Sequence, residues 1–424
     1  MSAEPTSGPA APARATRRIL GFEWPARVTP AEKRSLIAGG LGWMLDAMDV
    51  MLYSLVLAQL VLHFGMTKSE AGFLNSLTLG ASALGGLMFG FLADRIGRTR
   101  ALMGSILVYS LASFACGLST SITQLAIFRF ILGLGMGGEW TTGAALIAEV
   151  WPAEHRGKAL GLMQSAWAIG EMLAAAVTLV VLPNFGWRAV FFVGVLPALV
   201  VLWIRRDVPE SQIWLERGKQ KAGSLALLWH PDIRWKGLLA TVMNACAMFG
   251  YWGLFTWIPG YLALPEKDGG RGLGIIVSLW WVMFMGPGKW LGYTLFGFAA
   301  DKYGRRISYV VYLVIAAALV PLFGMTKSLV WLMVLGPFVG FFGTGFFSGF
   351  SAIASELFAT EIRGTAMGLT YNIGRGFSAI APFVVGFVAT RYSFYAGFLL
   401  LAGAFFAAAM FALALPETKG KQLD

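Results

Sequence analysis

Twelve long apolar stretches run along this chain, close to residues 35–63, 70–93, 100–118, 122–149, 157–182, 187–204, 236–263, 273–300, 307–325, 328–355, 364–390 and 393–415. At about 1.5 Å per helical residue, each is long enough to cross roughly 30 Å of hydrocarbon. A lipid-embedded backbone must satisfy its own hydrogen bonds, so runs of this length predict spanning helices. Composition points the same way: 57% of the 424 residues are hydrophobic and 13% charged, whereas a soluble domain carries about 25% charged residues. Mean hydropathy is +0.68. These values exclude a water-soluble enzyme and predict an all-α integral membrane protein. Cys116 and Cys246 lie alone in apolar runs and the three histidines have no ligand spacing, so neither a disulfide framework nor a metal or cofactor site is expected.

The net charge of +11 would suggest nucleic acid in a soluble chain, but its distribution gives another reason. If the N-terminus lies inside, the inner segments hold 24 of the 33 Lys and Arg residues and the outer loops only six: Lys68, Arg188, Lys267, Arg271, Lys327 and Arg391. That asymmetry follows the positive-inside rule. It predicts a multi-pass protein of an inner or plasma membrane with both termini cytoplasmic. The expected organisation is a largely disordered tail over 1–34 with no cleavable signal, and a six-helix half over 35–204. A linker over 205–235 leads to a second half over 236–415 and a short tail over 416–424. A short amphipathic helix or a flexible loop both fit 209–221.

The halves are copies of one another. Gly90-Phe-Leu-Ala-Asp94-Arg-Ile-Gly97-Arg98 returns as Gly297-Phe-Ala-Ala-Asp301-Lys-Tyr-Gly304-Arg305, displaced by 207 residues. Glu149 through Arg156-Gly157 returns as Glu356 through Arg363-Gly364, and Pro209-Glu210-Ser211 as Pro416-Glu417-Thr418, at the same displacement. Three echoes at one ungapped offset, each after an equivalent span, mark a duplication. Gly97 and Gly304 suit tight turns. Around them Asp94, Arg98, Glu149, Arg156, Asp301, Arg305, Glu356 and Arg363 form a candidate inner gate, with Glu154 and Glu361 as further partners for the arginines.

These repeated elements resemble the major facilitator superfamily across nearly the whole chain. The resemblance implies two pseudo-symmetric six-helix halves related by an axis along the membrane normal, with substrate bound near the midplane between them. It also implies a secondary transporter, not an enzyme.

Charged residues inside spans cost about 2.5–3.5 kcal/mol each on insertion scales, so they need a reason. Asp46, Asp49, Arg129, Glu139, Glu171, Lys289 and Arg375 come from five different spans yet lie at similar depths, roughly 15–30 Å from the inner end. They predict one polar cavity. Asp46 and Asp49 share a helix face, and two close carboxylates resist ionising together, which suits a proton carrier. Arg129 is the expected partner of Asp49, and Glu139 joins this proton-coupling group. The glycines at 133–138 superficially suggest a nucleotide loop, but no strand precedes them; close helix packing is the expectation.

Gly42-Trp-Met-Leu-Asp46-Ala-Met-Asp49 resembles the first-span element of proton-coupled carboxylate symporters, with Ala47 and Met48 departing from it. The stretch from Gly135 to Gly170 looks closest to the sialate:proton symporter group, which includes lactate carriers. In the related sugar porters two fifth-span glutamines bind substrate; here the matching positions are Gln164 and Glu171. Their seventh-span glutamine pair is missing, Asn244 being the only amide there, which argues against a sugar.

All four acids of the layer belong to the first half, and Lys289 and Arg375 to the second. Either cation can bind a substrate carboxylate, with Tyr371 and Asn372 orienting it. Alternatively, both pair with Glu171 or Asp46 across the halves and only stabilise one conformation. A cation on the eighth span also occurs in monocarboxylate carriers. The expected activity is alternating-access symport of protons with a small organic anion, from a lactate-sized monocarboxylate to sialate or an aromatic acid. Proton-coupled sugar or polyol uptake through Gln164 and Glu171, and drug or metabolite export by proton antiport, are the rival readings. The expected partners are the anion, protons and lipid, with no nucleic acid, and the bundle is expected to work as a monomer.

Overall fold

The computed structural model describes residues 16–19, 22–25, 28–217, 231–357 and 363–418. The first half contains α1 (Pro30–Phe64), α2 (Lys68–Ile96), α3 (Arg98–Gly117), α4 (Ile122–Val150), α5 (Ala153–Val193) and α6 (Pro197–Asp207), followed by the short α7 (Gln212–Arg217). The second contains α8 (Pro231–Ala263), α9 (Gly274–Tyr303), α10 (Arg305–Met325), α11 (Leu329–Thr344), α12 (Phe346–Leu357), α13 (Arg363–Ser378), α14 (Ala381–Arg391) and α15 (Phe394–Leu413). Among the described residues, fourteen of the fifteen α-helices thus make twelve spans, and α7 falls in the linker between the halves. α5 breaks at Gly186, where φ is 77°, which separates the fifth span from the start of the sixth. The tenth span is α11 with α12. The eleventh is α13 with α14, interrupted just before Pro382, whose missing N–H cannot continue the ladder.

Two details differ from the sequence reading. The tail, expected to be largely disordered, carries an antiparallel hairpin of β1 (Thr16–Ile19) and β2 (Phe22–Pro25), with Thr16 opposite Pro25 and Ile19 opposite Phe22. Thr, Ile, Phe and Trp are strand formers, and only two residues separate the strands, so local propensity suffices. The first helix also starts before residue 35. Thr29 and Glu32 form a reciprocal capping box and Pro30 opens the helix, so a polar first turn invisible to hydropathy is still helical. Within 209–221, α7 covers six residues; residues 218–221 lie outside the described residues.

Packing repeats the duplication: α2 lies on α4 as α9 lies on α11, and α3 on α6 as α10 lies on α15. Gly133 and Gly137 bring α4 onto the backbone of α2, where a Cβ would collide with the carbonyls of Thr78 and Ser82. Packing glycines, as expected, occupy that run. Across the halves α2 meets α14, α5 meets α9 and α1 meets α8. The end of the bundle holding Gly97 and Gly304 is called the motif end below, and the opposite one the far end.

Candidate functional site

At the motif end the two repeats adopt one geometry. Gly97 and Gly304 have φ of 105° and 108°, a conformation that glycine adopts without a Cβ penalty. Arg98 then pairs with Asp94 and with Glu149, at 3.0 Å from Nη2. Arg305 pairs with Glu356 at 3.2 Å. Both pairs lie within one half, so neither bridges the halves as an inner gate would. The side chains of Glu154, Arg156, Asp301 and Arg363, and residue Glu361, lie outside the described residues. Sequence reasoning assigned no role to the Pro-Glu-Ser and Pro-Glu-Thr repeats. Here Glu210 accepts from the backbone N–H of Arg98 at 2.9 Å, and Glu417 from that of Arg305 at 2.8 Å. Each carboxylate caps a helix that starts on a glycine without a side-chain cap of its own. The signal was present: an acidic residue repeated at the offset of an uncapped helix start.

All seven charged residues of the predicted layer are buried, none more than 2% exposed. They divide into three groups. In the first, Lys289 Nζ lies 2.5 Å from Glu171 Oε2 and over the Phe255 ring, 3.6 Å from its centroid. The other Glu171 oxygen accepts from Tyr251 OH at 2.9 Å and Trp167 Nε1 at 3.0 Å. This is the cross-half pair of the alternative reading, so Lys289 is not an uncompensated cation. In the second group, Arg129 does not pair with Asp49. Its guanidinium donates to Asn75 Oδ1 at 2.5 Å and stacks on the Tyr53 ring, 4.1 Å from the centroid. Asp49 lies beside Ser113 without a hydrogen bond of normal geometry. The expected ion pair is replaced because α2 supplies a neutral acceptor that Arg129 reaches instead.

The third group is Asp46, Glu139 and Arg375. Asp46 and Glu139 both lie within electrostatic reach of Arg375. Glu139 packs against Gly42, which leaves no room there for a Cβ. Neither carboxylate has a hydrogen-bond partner, and neither do Nε and Nη2 of Arg375. Arg375 also lines a small cavity, with room for about one water, together with Trp43, Gln164, Trp167, Tyr251, Trp252, Tyr293, Phe347 and Tyr371. Residues of both halves form its walls. Trp43 and Trp167 approach to 4.5 Å between centroids. Trp140 stacks on Tyr371 at 4.3 Å and 12° and donates to Gln164 Oε1 at 3.3 Å.

Of the expected substrate residues, the cavity therefore gathers Arg375, Tyr371 and Gln164. Lys289 and Glu171 lie behind its wall. Asn244 donates weakly to Met248 Sδ at 3.6 Å, and Asn372 faces Gly86 on α2. Phe347 and Tyr293 were missed, because an aromatic residue in an apolar helix looks alike whether it packs or lines a cavity. Among the described residues no group of three His, Cys, Asp or Glu could hold a metal.

The profile described as "Major Facilitator Superfamily" matches residues 40–293 and 270–423. The chain belongs to this superfamily. As a member it is a multi-pass membrane transporter of metabolites and not an enzyme. Similar proteins include the sialic acid transporter NanX of Escherichia coli, 31% identical over 88% of this chain and 91% of that one. The niacin transporter NiaP of Acinetobacter baylyi is 30% identical over 91% and 94%. The cis,cis-muconate transport protein of the same organism is 32% identical over 86% and 90%. Among solved structures, the xylose transporter XylE from E. coli, in a partially occluded inward-open conformation, superposes with a TM-score of 0.73. It covers 93% of this chain and 100% of that one at 20% identity, a likeness of fold. In this superfamily the midplane between the halves is where substrate binds, and that is where the aromatic cavity lies.

Proposed function

We propose that this transporter carries a small organic anion together with protons, and that Arg375 is the anchor for the substrate carboxylate. One observation carries the reading: a buried guanidinium with two nitrogens free of hydrogen bonds opens into an aromatic cavity between the halves. A carboxylate there would gain charge-assisted hydrogen bonds in a planar fork. The indole and phenol walls favour a flat, ring-bearing monocarboxylate over a polyhydroxylated acid such as sialate. The relatives named for niacin, muconate and sialic acid support a carboxylate in general terms.

Asp46, Asp49 and Glu139 would carry the proton. When substrate occupies Arg375, the neighbouring Asp46 and Glu139 lose their counter-charge, and taking up a proton relieves their repulsion. Substrate and proton would thereby enter together. The halves 35–204 and 236–415 would rock about the midplane, with both termini on the cytoplasmic side of an inner or plasma membrane, in a monomer without a cofactor. Lys289 then serves the interface, not the substrate.

The test is luminal pH in proteoliposomes after adding carboxylates, sugars and amines without a preset gradient. Protein-free liposomes control for acids that leak through lipid. Acidification by one carboxylate, lost in Asp49→Asn, is the expected result. A signal from sugars alone would overturn the anion reading, and amine-driven proton movement of opposite sign would indicate antiport.

A further inference from the structure

Three side chains from three helices meet at one depth near the far end. Asn75 lies seven residues from the start of α2, Arg129 seven from the start of α4, and Thr256 seven from the end of α8. Each is therefore about 10 Å below the far end of its helix. Asn75 accepts from Arg129 through Oδ1 at 2.5 Å and donates through Nδ2 to Thr256 Oγ1 at 2.8 Å. All three are buried. Arg129 and Asn75 belong to the first half and Thr256 to the second, so this amide links the only two described groups that join Arg129 to the opposite half by hydrogen bonds. A neighbouring bond, from the Phe383 N–H to Ser76 Oγ at 3.0 Å, also crosses between the halves.

We infer that Asn75 is a positioning residue of the transport cycle, a latch that holds the far end closed only while Arg129 is seated on it. The reasons are chemical. A cation on the amide oxygen polarises the group and strengthens the opposite N–H as a donor, so the bond to Thr256 depends on Arg129. Arg129 retains Nε and Nη1 without partners, and it rests on Tyr53, one turn along α1 from Asp49. An ionised Asp49 is thus a competing seat for the guanidinium. The groups facing Asp49 are Asp46 on its own helix and Ser113, Tyr109 and Cys116 from α3; Arg129 of α4 lies one step further off, against the Tyr53 and Cys116 side chains. No cation touches Asp49 among the described residues, so Arg129, which shares Cys116 with it, is the cation a small side-chain swing would bring to it. Moving Arg129 to Asp49 would remove the polarising charge from Asn75 and release Thr256. The ion pair expected from the sequence then belongs to the opened far end, and its absence here accompanies closure. This last link rests on Asp49 as the proton carrier proposed above; the latch itself does not.

The experiment uses the full-length transporter in lipid nanodiscs, with Cys116 and Cys246 replaced by alanine. Spin labels at Thr120→Cys and Lys327→Cys, one on the far-end rim of each half, report the distance between the halves. Thr256→Val, close in shape, and Asn75→Ala should each raise the long-distance population by roughly three- to tenfold, the effect of one such buried hydrogen bond. The double variant should do no more than either, and Thr256→Ser, which keeps the hydroxyl, should match the parent. Unchanged distances in Thr256→Val, or additive effects in the double variant, would overturn the latch. Asp49→Asn should keep the short distance at every pH; a long distance there breaks the link to Arg129. If Asp49→Asn still couples protons while Asn75→Ala opens the far end, the proton assignment fails and the latch stands.

Discussion

Lys289 and Arg375 are both cations buried in the second half, both at 2% exposure, yet their surroundings differ. Lys289 has a carboxylate at 2.5 Å, and that carboxylate is itself held by Tyr251 and Trp167. Arg375 shares two acids that make no hydrogen bond, and it leaves two nitrogens free beside a cavity. A saturated ion pair is costly to break and has nothing to offer a ligand, since its donors and acceptors are committed. An unsaturated cluster has donors to spare and acids whose charge balance changes when an anion arrives. Burial alone therefore says little about which charge binds substrate; the state of its partners decides.

The largest effect should come from breaking the saturated pair. Glu171→Gln leaves an ammonium buried beside a neutral amide, and the expected loss is about 3–5 kcal/mol of stability, read as a lower melting temperature in detergent. Combining it with Lys289→Met should recover most of that loss and keep substrate uptake. A double variant that is stable but inactive would move Lys289 back into the binding site. Next in size, Arg375→Lys retains the charge but not the planar fork, and uptake of the substrate carboxylate should fall by about 100-fold with little change in melting temperature. If uptake survives, the contrast between the two cations is broken. The smallest effect belongs to Tyr251→Phe, which removes one of three donors to Glu171. It should cost about 1 kcal/mol, visible as a small melting shift, and a cavity wall that keeps its ring should still admit substrate.

Much of this was legible in the residues. The twelve spans and the repeat at 207 agree with the sequence reading; the seven charges are all buried, but in three separate groups and not around the one polar cavity expected, since only Arg375 lines a cavity. The Arg98–Glu149 and Arg305–Glu356 pairs agree too, because each joins residues of one repeat through a short local fold. The capping carboxylates Glu210 and Glu417 were present in the repeat but went unread, since their partners are backbone groups that no residue pattern names. The expected Asp49–Arg129 pair and the free Lys289 did not appear. Both errors concern partners on other helices: Asn75 matches Arg129 in depth more closely than Asp49 does, and Glu171 reaches Lys289 only because α5 packs on α9.

Sequence by itself determined which segments enter the membrane, that the halves are copies, and at what depth the charges lie. Those properties follow from local hydrophobicity and from rise per residue, both additive along the chain. Tertiary structure alone decided which charge meets which partner and which aromatic rings face open space. Those choices depend on the rotation of each helix about its own axis and on contacts of about 3 Å between distant segments. A turn of one helix by a single residue, about 100°, would have reassigned every one of them.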